Sequence, residues 1–378
     1  TTGAGTQTGN ITVSSAIATT GNAGNLTLTA AGDISIQGNI TLTGSSALLV
    51  KAVNNIYLGS GSSPNTITTA GGDVSLYSNT SNQTSVIAGA AIKLFTGSAI
   101  YSNGGAITLG GKSGENSFAQ GGSTNQLGIF LNGNNTINSS GGSISMVGKS
   151  VPSALKNTFQ LSGIEIDGGS IGSSINAGSG DIYLEGTNNS ATLGASPTAY
   201  GVYTSGTASL PVAFTSSGTI TFKGIPGSAA ATTTNYGINL AGTTVNNISS
   251  VNSAALISDR FGLSDVTFNA NSLNFQPVTS GLTPSIALSA GTTSFNIGAD
   301  KTLENIFSGA GGLKQSSLFN LTLTANNSYT GATTINVGSK LSLSGTGSIA
   351  TSSGVADSGI LDISSTTSGA SIKTITGS

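Results

Sequence analysis

The chain is built from short runs in which apolar and polar residues alternate, most of them closed by glycine. One motif, Gly-x-apolar-x-apolar-x-Gly in outline, appears as GGAITLGG from Gly104, GGSISMVG from Gly141, SGDIYLEG from Ser179 and SGTITFKG from Ser217, at spacings of 37, 38 and 38 residues. A second motif lies between: GIFLNG from Gly128, GIEIDG from Gly163, GVYTSG from Gly201 and GINLAG from Gly237, at spacings of 35, 38 and 36. Alternation with a period of two is the mark of a strand with one buried face. The pattern therefore predicts short strands stacked turn upon turn. The inward pairs are Ile107/Leu109, Ile144/Met146, Ile182/Leu184 and Ile220/Phe222 in the first set, and Ile129/Leu131, Ile164/Ile166, Val202/Thr204 and Ile238/Leu240 in the second. Equivalent positions then form buried columns, with Ile144, Ile182 and Ile220 in one of them. The flanking glycines are expected to supply φ > 0 corners.

The fold this predicts is all-β, a right-handed parallel β-helix forming a single elongated rod. The period near 37 is read as two turns of about 18–19 residues, ahead of one turn carrying a long side loop. At ~4.8 Å per turn, that reading gives about 18–20 turns and a length on the order of 90 Å. Four stretches follow one another as one continuous solenoid. Residues 1–103 carry the alternation in short irregular turns, as in GNITVSS and GDISIQG, and 104–250 carry the 37-residue repeat. Residues 251–305 are less regular, with VTFNA, LNFQP and TSFNI as strands and Pro277 and Pro284 marking loops. Residues 306–378 complete the chain.

Composition supports an all-β chain and narrows the chemistry. Charged residues make up 6%, against roughly 25% in an ordinary domain, so the charged outer faces of water-exposed helices are missing. A net charge of −2 leaves no basic stripe for nucleic acid. No apolar run is long enough to span a bilayer as a helix. With no Cys and no His, a disulfide-stapled scaffold, thiol nucleophiles, Ser-His-Asp triads and the common zinc and haem sites are excluded, and no cofactor is expected. The chain opens at Thr1 without a signal peptide, and is read as a piece of a longer exported protein.

The stretch Phe307–Gly345 resembles the autotransporter-associated β-strand repeat. Gly309, Gly311, Gly312 and Leu313 open it, Leu321, Thr322 and Leu323 follow, Asn327, Tyr329, Gly331 and Thr333 form its centre, and Leu341 and Leu343 close it. Ser316–Asn320, SSLFN, departs from the Gly-containing turn usual there. The repeats over 104–250 resemble those of filamentous-haemagglutinin-like exoproteins. The two resemblances imply a large Gram-negative cell-surface or secreted protein exported by a type V route, through autotransport or two-partner secretion. They imply an adhesin, biofilm or matrix component located outside the cell or at the outer membrane. The implied partners are a host or neighbouring-cell surface, glycan or matrix component, and an outer-membrane transporter during export.

Five outward residues are candidates for surface binding: Phe130, Glu165, Asp167, Tyr183 and Tyr203. Glu165 and Asp167 alternate with Ile164 and Ile166, and so face outward together. They form either an acid/base pair on a carbohydrate groove or a solvated strand face that discourages aggregation. The second reading is preferred, since catalysis needs two separated pKa values and the basic groups that stabilise a lyase intermediate are absent nearby. Asp181 and Glu185 are expected to face solvent in the same way. Glu185 and Lys223 occupy equivalent positions one period apart, which on the two-turn reading are not adjacent. Outward aromatics can stack against sugar rings or a partner protein. Thr-x-Thr strings do not persist as an array at the repeat period: Thr108 is followed by Ser145, Tyr183 and Thr221. The expected function is that of a structural, adhesive segment with no enzymatic activity. The alternatives are a carbohydrate-active β-helix enzyme and an extracellular filament subunit stacking end to end.

Overall fold

A computed structural model describes residues 9–21, 24–78, 91–110, 119–120, 127–150, 161–188, 199–226, 236–247 and 253–377. Among these residues there are strands and turns but no helix, and every pairing between named strands is parallel. Most strands pair with the strand one repeat ahead, Ser272–Gln276 and Ile306–Ser308 being exceptions, so the chain coils as a solenoid with three walls. The first and second walls join in one 23-stranded sheet. The third is made of a separate ten-stranded sheet followed by a four-stranded one. The large sheet runs through all four stretches of the sequence, from Ile11–Val13 to Ile375–Gly377.

The buried columns fall where the alternation places them. Ile144 pairs with Ile182 and Ile182 with Ile220, and all three side chains are at most 1% exposed. On the first wall Ile129, Ile164, Val202 and Ile238 follow one another in register, each fully buried. Aromatic rings extend the core further along: Phe268 and Phe295 stack with centroids 5.8 Å apart, and Phe295 meets Phe307 edge-on at 6.0 Å.

One repeat is one turn, which corrects the expectation of two. Ile164 bonds directly to Val202, 38 residues on. The bare turn is shorter, 22 residues from Ile34 to Ile56 and 20 from Leu313 to Thr333. In the long turns the additional residues fall between the third wall and the next first wall, at 151–160, 189–198 and 227–235, outside the described residues. The second wall supplies a strand between the two glycine-closed motifs, and this strand carries no such signature. The solenoid has about fourteen turns and a length on the order of 65 Å at ~4.8 Å per turn, shorter than the sequence implies.

Glycine serves close packing more than φ > 0. Gly71, Gly104 and Gly141 do turn with positive φ, as expected. The residues after them lie back to back along the axis: a Cβ on Gly142 would stand 2.0 Å from the Gly105 carbonyl oxygen. A second glycine seam joins the end of the third wall to the start of the first. There a Cβ on Gly148, Gly186 or Gly224 would stand 2.1, 1.9 or 2.0 Å from the carbonyl oxygen of Gly163, Gly201 or Gly237. Only a hydrogen fits where two backbones approach so closely.

The residues that carry the autotransporter-like resemblance form a clip. Asn327 is buried; its Oδ1 accepts from the Phe307 amide at 2.9 Å, and its Nδ2 donates to the carbonyls of Ala325 and Ser348. The Tyr329 hydroxyl shares a hydrogen bond with Thr333 Oγ1 at 2.6 Å, and Thr333 Oγ1 another with Ser352 Oγ at 3.0 Å. A Cβ on Gly331 would meet the Gly311 backbone at 2.4 Å. In the departing segment, Gln315 replaces the glycine turn: its Nε2 donates to Ser317 Oγ and to the Phe319 carbonyl. Asn327→Ala removes three bonds, two of which link neighbouring turns, and is expected to cost about 2–4 kcal/mol, read as a lowered urea midpoint.

Candidate functional site

Because outward positions also stack in register, each wall presents its own chemistry. Along the middle of the first wall, the outward residues of successive turns are Tyr57, Lys93, Phe130, Glu165, Tyr203 and Asn239. Aromatic and ionisable groups are concentrated here in a chain that has few of either. From Tyr57 to Tyr203 the track spans four steps, about 19 Å.

The rings and charges on this track touch. Lys93 Nζ lies 4.5 Å from the Phe95 ring centroid and 5.3 Å from that of Phe130, and Tyr57 stands 6.4 Å from Phe95. Burial among the rings pushes the Lys93 ammonium pKa down. Tyr203 stacks on Tyr200 at 4.8 Å, Tyr200 on Tyr236 at 6.4 Å, and the Arg260 guanidinium sits 5.7 Å from the Tyr236 ring. Cation–aromatic and offset-stacked contacts of this kind fix the rings on the surface.

Glu165 lies between Phe130 on one side and Tyr203 on the other. Its Oε2 is buried without a hydrogen-bond partner. Desolvation, then the neighbouring Asp167 carboxylate, raise its pKa to about 8, against a lowering by Ser162. Asp167 is raised too, by burial, although it accepts a hydrogen bond from the Ser205 hydroxyl. Both carboxyls therefore shift the same way, which is not the split that assigns one acid and one base.

The structure brings Phe130, Glu165 and Tyr203 together on this track, with Asp167 two residues along the Glu165 strand, opposite Ser205. Tyr183 lies apart, on the third wall, where its hydroxyl donates to Glu185 Oε2. Burial, and then Glu185, hold the Tyr183 phenol well above its ordinary pKa. Glu185 is only 7% exposed and pairs with Lys223 at 2.9 Å. This corrects two expectations: Glu185 is not a solvated surface acid, and the one-turn repeat makes it adjacent to Lys223. Asp181 holds a corner instead, its Oδ1 accepting from the Thr219 amide at 2.7 Å.

Lys93, Tyr57, Tyr200, Tyr236 and Arg260 escape the sequence reading. A signal for the first two does exist: IYL at Ile56 and IKL at Ile92 continue the GIFLNG and GIEIDG series backwards at the same period.

The second wall is different again. Its strands read TIN at Thr136, SIN at Ser174, TVN at Thr244, TFN at Thr267 and SFN at Ser294, so hydroxyl and amide columns run side by side. Asn269 Nδ2 donates to Asn246 Oδ1 at 2.8 Å, and Asn296 Nδ2 to Asn269 Oδ1 at 3.0 Å. The columns run unbroken only from Thr244 to Ser294; one turn earlier Ala213 interrupts the hydroxyl column and Thr215 the amide one.

No family model matches the chain, and no curated protein or solved structure does either. Among the described residues there is no group of three or more carboxylates that could hold a metal ion. Among these residues, too, no helix is long and apolar enough to cross a membrane.

Proposed function

We propose that this chain is a structural and adhesive segment of a large bacterial cell-surface or secreted exoprotein, exported by a type V route, and that its coil is right-handed. Parallel strands joined by crossovers take the right-handed path in nearly all known cases. The repeat patterns of residues 104–250 and 307–345 resemble those of such exoproteins, and this resemblance is what supports the export route and the extracellular location.

The observation that carries the adhesive reading is the track from Tyr57 to Tyr203. A solenoid needs only small polar residues outside, and the second wall shows that this chain can supply them. On the first wall it instead sets rings, an ammonium and the Glu165 carboxyl in line along the axis, with Asp167 beside Glu165 on the same strand. Such a line can stack against sugars or apolar side chains of a partner surface while the carboxyls and ammonium accept and donate hydrogen bonds. The partner fitting this chemistry is a glycan or matrix component of a host or neighbouring cell.

The test is adhesion of the purified segment to immobilised glycans and to cell surfaces. Phe130→Ser with Tyr203→Ser should reduce binding at least about tenfold while the far-ultraviolet spectrum stays β-rich. Equal binding by this variant, with loss on changing the second wall instead, would move the contact elsewhere.

The raised Glu165 pKa favours one second reading, a carbohydrate-active enzyme with Glu165 as the acid. Release of reducing ends from a polysaccharide, abolished in Glu165→Gln, would establish it. Without that release the adhesive reading stands.

A further inference from the structure

The second wall carries a groove that the first-wall track does not use. In the turns of Ile238–Asn247 and Arg260–Ala270 the first and second walls run as one unbroken strand. These strands bend at Gly242 (φ 50°) and Asp265 (φ 51°) instead of leaving the surface in a loop. One turn earlier the connection does leave it. Thr207 and Leu210 close a tight turn there by exchanging backbone hydrogen bonds at 3.2 Å, and Pro211 follows. Beside this projecting turn the bare corners leave a recess of about 400 Å³, open to solvent and bordered by Ala208 and Pro211 at one end.

The floor of the groove is one outward column. Thr244, Thr267 and Ser294 follow one another in register, and Lys314 and Thr334 continue the column. Its four steps give a length of about 19 Å. The neighbouring column is spent on itself: the Asn246, Asn269 and Asn296 amides bond to one another, and Asn246 Nδ2 donates to Thr215 Oγ1 at 3.3 Å. The groove column is not. The side-chain hydroxyls of Thr244, Thr267, Ser294 and Thr334 bond to no described residue, and the half-buried Lys314 has neither a carboxylate nor another acceptor among the described residues. Asp265 borders the groove, but its Oδ1 already accepts from the Thr292 amide at 3.0 Å.

We propose that this groove binds an acidic oligosaccharide in extended form, with a uronate carboxylate on Lys314 and the sugar hydroxyls on Thr244, Thr267 and Ser294. Each protein hydroxyl is both donor and acceptor, as each sugar hydroxyl is, so a row of one satisfies a row of the other. An extended peptide would bring apolar side chains, and beyond Ala208 and Pro211 the lining holds no apolar residue to cover them. A nucleic-acid backbone needs cations at several phosphates, and the lining holds Lys314 alone. A charge-assisted bond to this ammonium is the strongest single contact the groove offers, so the acid group sets the selectivity. Lys93 on the first wall is not equivalent, because its ammonium lies over the Phe95 and Phe130 rings. The groove and the Tyr57–Tyr203 track occupy different walls, and neither depends on the other.

The probes are a short oligogalacturonate and its methyl ester, titrated into the purified segment by calorimetry. Saturable binding of the acid form is expected, weakened at least about tenfold by esterification, by Lys314→Gln and by molar salt. Lys314→Arg, which keeps the charge, should retain most of it. The ester comparison uses the unaltered protein and so is independent of any effect of substitution on folding. Phe130→Ser with Tyr203→Ser should bind oligogalacturonate as the wild type does, which separates failure of this groove from failure of the first-wall track. Four results would overturn the proposal: no saturable binding at millimolar oligogalacturonate, equal binding of the ester, full binding by Lys314→Gln, or loss of binding in the first-wall variant.

Discussion

Gly186→Val is expected to abolish folding of the long-turn region, at a cost of at least about 4 kcal/mol. Gly186 sits in the seam where the end of the third wall meets the start of the first, and a Cβ there would stand 1.9 Å from the Gly201 carbonyl oxygen. The obstacle is backbone, so no side-chain rotation relieves it. The seam repeats at Gly148 and Gly224, so yielding at one turn would displace its neighbours. Gly24→Ala is the control, because nothing lies within 4 Å of a Cβ there. Urea unfolding followed by circular dichroism distinguishes the two: the control keeps the wild-type midpoint and Gly186→Val loses the transition. A near-native midpoint for Gly186→Val would mean that the two walls do not approach as described.

The second large effect is on pH dependence, and it runs opposite to that of most carboxylates. Glu165 is raised in the folded protein from its ordinary value near 4.5 to about 8. Between those values the folded state holds a proton that the unfolded state has lost. Stability is therefore greatest below about pH 4.5 as far as this group is concerned, and falls as pH rises toward 8. Asp167 shifts in the same direction and adds to the slope. The flanking strands place Phe130 and Tyr203 beside Glu165, and the Lys93 ammonium is two turns away. No cation is therefore in register beside it to hold the charge. Glu165→Gln should be more stable than wild type at pH 9, by roughly 2–4 kcal/mol, and nearly equal to it at pH 4. Denaturation midpoints at the two pH values check this. A wild-type protein that gains stability between pH 5 and 9 through this residue would refute the burial of an unpartnered carboxyl.

The sequence discloses the strands, their inward faces and the columns, because alternation and period are local signals. It discloses the turn length wrongly for a physical reason. Glycine marks the ends of the first- and third-wall strands, as where a Cβ on Gly206 would stand 2.2 Å from the Gly242 carbonyl oxygen, so two motifs per repeat look like two turns. The second-wall strands Thr136–Asn138 and Val212–Ser216 contain no glycine of their own and carry no such signature. Phe130, Glu165, Asp167 and Tyr203 could be placed as outward residues, but the line-up of Phe130, Glu165 and Tyr203 with Lys93 and Tyr57 depends on one repeat being one turn. The stacking of Tyr200 and Tyr236 and the cation at Arg260 join separate turns through side-chain reach, which the pattern of apolar positions does not encode. The break between the two sheets of the third wall, after Ser272–Gln276, left a trace in the irregular spacing and prolines of 251–305, legible as loops but not as a missing strand pairing.

Each 37-residue repeat makes one turn, so that equivalent residues are immediate neighbours. Thr108 and Ser145 lie opposite each other on adjacent strands, and Tyr183 one strand beyond. Adjacent strands stand ~4.8 Å apart, within the roughly 4.4–6.8 Å that a disulfide spans. In a chain without cysteine, Thr108→Cys with Ser145→Cys should close a disulfide quantitatively under mild oxidation, and Thr108→Cys with Tyr183→Cys should stay reduced. Two turns per repeat would put the first pair ~9.6 Å apart. Failure of that pair to close in the folded protein, with both thiols open to labelling, would contradict the one-turn coil and the surface track built on it.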